Sequence, residues 1–333
     1  MTLPTPGDVH VNQPLTNLSL LYAQSLDRFA ADRLFPVATS DKESNTYFIF
    51  DKSYWGRDQM KARAVGTPAA EAGFGISQAS FFCTTYAVKK MIADRLRRNS
   101  DNPLNQDRAA MRFVTQLERI RREKAFAAAA LTTGVWSIDI TGVASDTPGA
   151  NEFEQWDRVG STPIQNIHTL TTRIDLLTIG AARPNVLAIG QQVWDILQDH
   201  PDVIDRLKYG GQLQGSLAKV TTEMVAALFE MDEIVVMSAV EETALEGQAT
   251  SAAYIAGKSG LLLYRNPASA PQVEEISAGY TMAWQDVGST AQGWRIKKYR
   301  NEDLESDVVE NQSSFTHKIT AADAGAFIAT LVG

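Results

Sequence analysis

The chain has 333 residues, 44% hydrophobic and 21% charged, which is ordinary globular composition and excludes a wholly disordered protein. Its formal net charge of −8 gives a field that repels nucleic acid, so specific duplex binding is excluded as a main task. A single cysteine, Cys83, lies in an apolar run, so no disulfide framework, Cys-based zinc site or paired redox motif can form within one chain, and the thiol reads as buried and inert.

Residues 1–14 carry three prolines and little that could bury a face, and they read as an extended strap. They contain neither a basic n-region nor an apolar h-region, and no segment of the chain reaches about eighteen consecutive apolar residues, so synthesis in the cytosol without a membrane segment is expected. From Asn17 onward, Leu18, Tyr22, Leu26 and Phe29 share one helical face until Leu34-Phe35-Pro36 breaks it. Thr46 to Asp51 and Ser80 to Met91 are rich in aromatic and β-branched residues and predict two strands. The segment between them is rich in glycine and alanine and has no sustained period. A structureless connection this long is uncommon in a compact domain, and the flanking strands favour an open hairpin arm.

Asp101 to Thr133 predicts one long helix. Asn102 is the expected N-cap, Pro103 a first-turn residue and Gly134 the stop signal. Ala110, Phe113, Leu117, Ile120, Ala127 and Leu131 form the expected buried stripe, whereas Arg112, Arg119, Arg122 and Glu123 are expected on other faces, with Glu118 placed to pair with Arg122. A strand is expected over Trp136–Val143, then a polar loop to Pro163. Helical patterns follow at Ile164–Ile179, Val193–Leu197, Asp202–Gly210 and Thr221–Phe229, with strands at Asn185–Ile189, Glu233–Ser238, Ala253–Ala256 and Leu261–Arg265. The chain returns to strands at Gly279–Gln285, Gly293–Arg300 and Ser314–Ile319 and ends on an apolar run.

No convergent catalytic set is visible, and neither a catalytic residue nor a cofactor or metal site is assigned. His10, His168, His200 and His317 are scattered and read as surface or capping residues. Gly210 to Ser216 has the glycine spacing of a phosphate loop but carries Ser216 where lysine is required. The carboxylates Glu230, Asp232 and Glu233 read as a solvated edge, and the basic run from Lys89 and Lys90 through Arg95, Arg97 and Arg98 as the wet side of an amphipathic element.

The order of strap, aromatic strand, long hairpin, basic segment, rod helix, inserted α+β lobe and returning strands resembles that of tailed-phage major capsid proteins. So do the runs ADRLFPV (31–37), TYFIFDK (46–52), GTPAAEAGFG (66–75), NPLNQD (102–107), TTGVW (132–136), HPDVIDRLKYG (200–210) and AGYTMAW (278–284). The resemblance implies an α+β, HK-ninety-seven-like viral capsid fold. By it, 1–44 is an N-terminal arm, 45–90 the extended loop hairpin, 91–163 a peripheral domain with a spine helix at 102–131, 164–279 an axial domain and 280–333 the return strands of the peripheral domain.

It further implies a non-enzymatic shell protein that forms hexamers and pentamers as a homo-oligomer in a virion capsid assembled in the host bacterial cytoplasm. The expected partners are a separate scaffolding protein, because only a short strap precedes the arm, a portal protein at one vertex, a decoration protein, and packaged double-stranded DNA touched non-specifically. No membrane is involved. Trp55, Arg57, Lys61, Arg63, Glu71 and Phe74 become the candidate inter-subunit contacts, and no cross-link is assigned to Lys61. An encapsulin-like bacterial nanocompartment shell is the alternative with the same fold, and a soluble α+β enzyme using the carboxylates near Glu230 is the alternative from another class.

Overall fold

A computed structural model describes residues 23–99, 105–209, 219–267, 275–285 and 293–333. The strap, Leu18 and Tyr22 of the arm, Asn102 and Pro103, and the Gly210–Ser216 loop lie outside the described residues.

Leu26–Arg28 makes a 3-10 turn and Ala31–Leu34 a short helix (α1), which Pro36 prevents from continuing. The chain then enters β1 (Val37–Ser40), a strand without a clear sequence signal. The two expected aromatic strands are three, because the second divides at Cys83: β2 (Ser44–Phe50) pairs antiparallel with β3 (Ile76–Phe82), and β4 (Thr84–Ala93) leaves that hairpin for another sheet. One turn of helix, α2 (Lys52–Trp55), follows β2, and α3 (Asp94–Arg98) follows β4.

The long helix α4 runs over Gln106–Ala130, and 25 residues at about 1.5 Å each make it roughly 37 Å long. Its N-cap is Asn105, whose side chain accepts from the Arg108 N–H at 3.0 Å. The turn after it holds Gly134 at φ +85°, a conformation glycine adopts without strain. The buried face differs from the expected stripe. Ala110, Val114, Arg122, Glu123, Phe126 and Ala130 are buried, and Phe113 is 49% exposed. The expected stripe followed apolarity alone, whereas the helix packs on strands and on the arm, and the arm recruits charged side chains.

Beyond α4 come β5 (Ile138–Val143), β6 (Glu152–Glu154), α5 (Pro163–Leu177), β7 (Val186–Gly190), α6 (Gln191–Leu197), α7 (Pro201–Tyr209), α8 (Thr222–Leu228), β8 (Glu233–Met237), β9 (Val240–Glu242), β10 (Ala252–Tyr254) and β11 (Gly260–Leu263). The tail supplies β12 (Gly279–Trp284), β13 (Trp294–Asn301), β14 (Ser306–Ile319) and β15 (Gly325–Ala329).

These strands form two main sheets. In the first, the fourteen-residue β14 pairs antiparallel with β4, β13 and β12, and β12 pairs parallel with β1. The second has the order β6-β5-β15-β11-β7-β8. It therefore unites strands from 138–154, 186–263 and the C-terminal segment. Both of its faces are apolar, which is why β7 is continuously buried. Leu187, Ile189, Leu262 and Ile328 meet Ile164, Ile167 and Leu170 of α5, while Val186, Ala188, Leu261 and Leu263 share the other core with Phe35, Phe126 and Trp136.

The junction of arm, rod and first sheet is polar, with Arg122, Glu123 and His317 buried. Both the Ala30 and Ala31 N–H groups donate to Glu123 Oε2 at 3.0 Å. Arg122 pairs with Asp32 at 2.8 Å and with Glu118 at 3.5 Å, and its guanidinium lies over the Phe315 ring. Burial pushes the Glu123 carboxyl up to about 7 against the two N–H donors, with Asp32 adding to the rise. Burial likewise raises Glu118 despite Arg122. His317, expected at a surface or cap, is instead a core residue. Its Nε2 lies 3.1 Å from the Arg122 carbonyl, which can only accept, so Nε2 carries the proton. Its Nδ1 lies 3.0 Å from Thr281 Oγ1, whose single proton is shared between Nδ1 and the Phe35 carbonyl. Burial and the neighbouring Arg122 hold the imidazole down at about 3. His200 is a buried cap: its Nδ1 accepts from the Asp202 N–H and its Nε2 meets Ser161.

Glu123 and His317 have opposite linkage to pH. In the unfolded chain the carboxyl titrates near 4.5 and the imidazole near 6.5. The stability linked to Glu123 is complete below about 4.5 and lost as pH rises through about 7, whereas that linked to His317 is complete above about 6.5 and lost as pH falls towards about 3. Between about 4.5 and 6.5 the two slopes oppose. Glu123→Gln removes one of them, so relative to wild type the variant should lose stability on acidification across that window, approaching about 1.4 kcal/mol per pH unit, the slope for one proton. Urea melts of both proteins at several pH values check this; parallel pH profiles would contradict it.

Candidate inter-subunit surface

The β2–β3 hairpin carries side chains that its own subunit does not cover. Its register runs from Ser44 opposite Phe82 to Phe50 opposite Ile76, and the Asp51 N–H donating to the Gly75 carbonyl at 3.1 Å closes the ladder. Past that point the chain opens into a wide excursion. Phe48, Ile49, Ile76 and Phe82 are exposed on the strands, as are Met60 and Val65 on the excursion. Six exposed large apolar side chains on one hairpin mark a candidate docking surface.

At the root of the excursion Asp51 caps α2 by accepting from the Ser53 N–H at 2.9 Å. That backbone bond holds the carboxyl below the usual carboxylate range, helped by Arg57 and Lys52. The capped turn aims Trp55 back at the returning strand. Trp55, Phe74 and Phe50 form an aromatic trio with centroid separations of 5.9, 5.8 and 6.4 Å. Two of the six candidate residues, Trp55 and Phe74, are thus brought together while remaining 69% and 58% exposed. Arg57 lies over the Tyr54 ring at 5.7 Å. The Arg63 guanidinium donates to the Thr67 carbonyl across a turn that has Gly66 at φ +87°. Lys61 and Glu71 are exposed and have no hydrogen bond or ion pair among the described residues. The basic edge of Arg57, Lys61 and Arg63 therefore faces solvent.

Contacts absent from the sequence reading anchor the hairpin root. Lys52 donates to the Leu177 carbonyl at 2.9 Å and pairs with Asp323, which also accepts from Ser137. Gly56 lies so close to Ile179 that an added Cβ would stand 2.5 Å from its side chain. No local pattern could reveal these contacts, since they join residues more than a hundred positions apart.

The other groups weighed from sequence are accounted for locally. Cys83 is buried, its thiol pushed up to about 11 by burial and by Glu43. Glu230 pairs with Arg183, and Glu233 with Arg33 and Arg265. Arg97, from the basic run, is taken up by Asp107 at 2.9 Å and Asp307 at 2.7 Å. Arg300 joins Asp94 to the same network at 2.6 Å, tying α3 and the start of α4 to β13 and β14. Among the described residues no group of three or more His, Cys, Asp or Glu could hold a metal ion, and no helix is long and apolar enough to cross a membrane.

Comparison with known proteins agrees with this architecture. No family model matches the chain. It is 25% identical over 342 residues to the major capsid protein of Burkholderia phage BcepMu, covering 97% of each chain. Among solved structures it resembles a phage-related protein from Bordetella bronchiseptica RB50, with a TM-score of 0.67 and 21% identity over 92% of this chain and 94% of that one. It also resembles the capsid of cyanophage P-SCSP1u (TM-score 0.58, 12% identity, 94% and 90% covered) and the SrpI encapsulin of Synechococcus elongatus PCC 7942 (0.55, 11%, 99% and 96%). The fold is α+β and HK-ninety-seven-like, and the resemblance to tailed-phage major capsid proteins is borne out.

Because Trp55 and Phe74 bury little in their own subunit, Trp55→Ala and Phe74→Ala should each shift its melting midpoint by no more than about 2 °C, the scale of surface substitutions in a chain this long. Differential scanning calorimetry of the unassembled subunit measures it, and a fall of many degrees would place the trio in the folding core.

Proposed function

We propose that this chain is the major capsid protein of a tailed double-stranded DNA bacteriophage, self-assembling into an icosahedral shell that encloses the genome. The observation that carries the reading is full-length likeness to a phage major capsid protein, 97% of both chains, on a capsid fold. A hairpin of exposed aromatic and basic side chains, rooted by the Asp51 cap and the Lys52–Asp323 ion pair, adds a physical reason: its apolar surface is burial deferred to a neighbour.

In this reading the chain performs no turnover. Its work is assembly into hexamers and pentamers as a homo-oligomer, and it resides in the virion capsid after assembly in the host bacterial cytoplasm. Residues 1–44 act as the arm, 45–90 as the extended hairpin, 91–163 and 280–333 as the peripheral domain, and 164–279 as the axial domain about which capsomers form. Trp55 and Phe74 are the apolar anchors on the next subunit, with Arg57, Lys61, Arg63 and Glu71 supplying charge at the rim, where each ion pair contributes about 0–1 kcal/mol but recurs at every copy. A separate scaffolding protein directs assembly, a portal occupies one vertex and a decoration protein binds the finished surface. Packaged DNA is touched non-specifically, since a chain of net charge −8 does not grip a genome that carries its own counterions. The encapsulin-like nanocompartment shares the fold, as the similarity to the Synechococcus protein illustrates, but the curated relative along the whole chain favours the phage shell.

Sedimentation velocity and negative-stain imaging test the assignment: the protein expressed with its scaffold should yield closed particles or capsomer rings, and small species alone under every assembly condition would overturn it. Replacing residues 57–73 by an Asn-Gly turn, which keeps the Asp51–Gly75 closure, should leave the far-UV circular dichroism and melting midpoint of the subunit nearly unchanged while abolishing stable shells. Normal particles from that variant would refute the extended hairpin's role.

A further inference from the structure

Two exposed features at opposite ends of β14 are opposite in charge. The first is a groove of about 580 Å³ at the hairpin base, where β2 and β3 pass the end of β14. Lys42 and Lys318 flank it, Thr46 and Thr316 offer hydroxyls, and Phe81 and Phe82 supply an apolar floor, Phe82 being 59% exposed. Among the described residues no carboxylate lines it. The Lys42 backbone is fixed, because Ser40 Oγ accepts from its N–H at 3.2 Å and donates to its carbonyl at 2.7 Å.

The second feature is the turn joining β13 to β14. Glu302, Asp303, Leu304 and Glu305 are all exposed there, Leu304 at 56%. The turn is held in one shape: the Glu305 N–H donates to the Glu302 carbonyl at 3.2 Å, the Asp94 N–H donates to the Glu305 carbonyl at 3.0 Å, and Glu305 sits at φ +40°. An apolar tip ringed by carboxylates thus projects from a rigid hairpin end.

A chain cannot join its own two features. Ser306, beside the turn, and Thr316, in the groove, are ten residues apart on one extended strand, roughly 33 Å at the usual rise. We propose that the acidic turn of one copy seats in the lysine groove of the next, with Leu304 on Phe82 and the carboxylates of Glu302 and Asp303 facing Lys42 and Lys318. Each copy then offers one turn and accepts one, a heterologous contact that generates closed rings or open runs of subunits. The inference rests on the shell reading for the supply of copies, but it fixes a pairing that the shell reading leaves open. Charge complementarity of this kind sets register and partner choice more than raw affinity.

Charge reversal tests the pairing in the full chain under conditions in which wild type forms particles. Lys42→Glu with Lys318→Glu should keep the circular dichroism spectrum and melting midpoint of the subunit but lower particle yield by roughly tenfold or more, and adding Glu302→Lys and Asp303→Lys should restore it. Wild-type yield from the first variant, or no recovery in the combined one, overturns the docking. A second readout does not depend on charge. In wild-type-like particles, Glu305→Cys with Ser44→Cys, exposed positions beside the contact that its charge pairs do not use, treated with a short bis-maleimide should give a ladder of dimers, trimers and larger species on a denaturing gel, while either single variant gives no ladder. Cys83 is buried and stays silent. Particles without the ladder refute this contact and leave the shell reading standing; a wild type that forms no particles at all brings down both.

Discussion

The contact on which the other parts depend is the buried Glu123 carboxylate accepting the Ala30 and Ala31 N–H groups. Helix α1 is only four residues long, too short to be stable alone, and its leading N–H groups have no partner of their own. Glu123 supplies that partner from the rod. With the arm held there, Phe35 enters the core edge-on to Phe126 at 5.0 Å, and the Phe35 carbonyl meets Thr281 of β12. Gly279, at the start of β12, admits the Phe35 ring to a place that a Cβ would occupy, within 2.5 Å. Arm, rod and both sheets meet at this point, and removing the acceptor would leave two buried donors unpaired, which typically costs more than the bond itself contributes.

That junction also shows where sequence reading stops. The rod was legible because 25 residues of good helix formers without Gly or Pro announce themselves, and β7, β11 and β15 were legible as short apolar runs. The face of the rod was not. Phe113 reads as core and Arg122 and Glu123 read as solvent, but the partner surface includes the polar backbone of the arm, so two charged residues are buried and a phenylalanine is exposed. His317 was misplaced for the same reason: its neighbours Thr281 and Arg122 are remote in sequence, and nothing local distinguishes a satisfied core histidine from a surface one. The strands β1 and β9 escaped because three or four residues carry too little pattern to register.

The candidate surface was legible in a different way, through the absence of pattern. Glycine, alanine and isolated aromatic residues between two good strands give no face to bury, and the structure leaves that stretch largely uncovered. The residue types at Trp55 and Phe74 could be singled out, since aromatic side chains dominate interfaces, but their convergence on Phe50 needed the cap at Asp51 and the register of β2 on β3. The anchoring of the hairpin root through Lys52 to Leu177 and Asp323 needed the tertiary fold.

On the proposed assembly, stability of the subunit and stability of the shell reside in different residues. The two apolar layers of the six-stranded sheet and the Glu123 junction supply the buried contacts of the subunit, whereas the side chains of the hairpin excursion and the β13–β14 turn are exposed. A chain arranged in this way can fold first and associate afterwards. The surfaces proposed for association carry charge at their rims, basic on the hairpin and in the Lys42 groove, acidic on the Glu302–Glu305 turn. A protein with a net charge of −8 repels its copies at a distance, so only approaches that bring a basic patch to an acidic one escape the penalty. Net repulsion with local complementarity therefore favours a few orientations over many, which is the condition for closing a regular shell instead of precipitating.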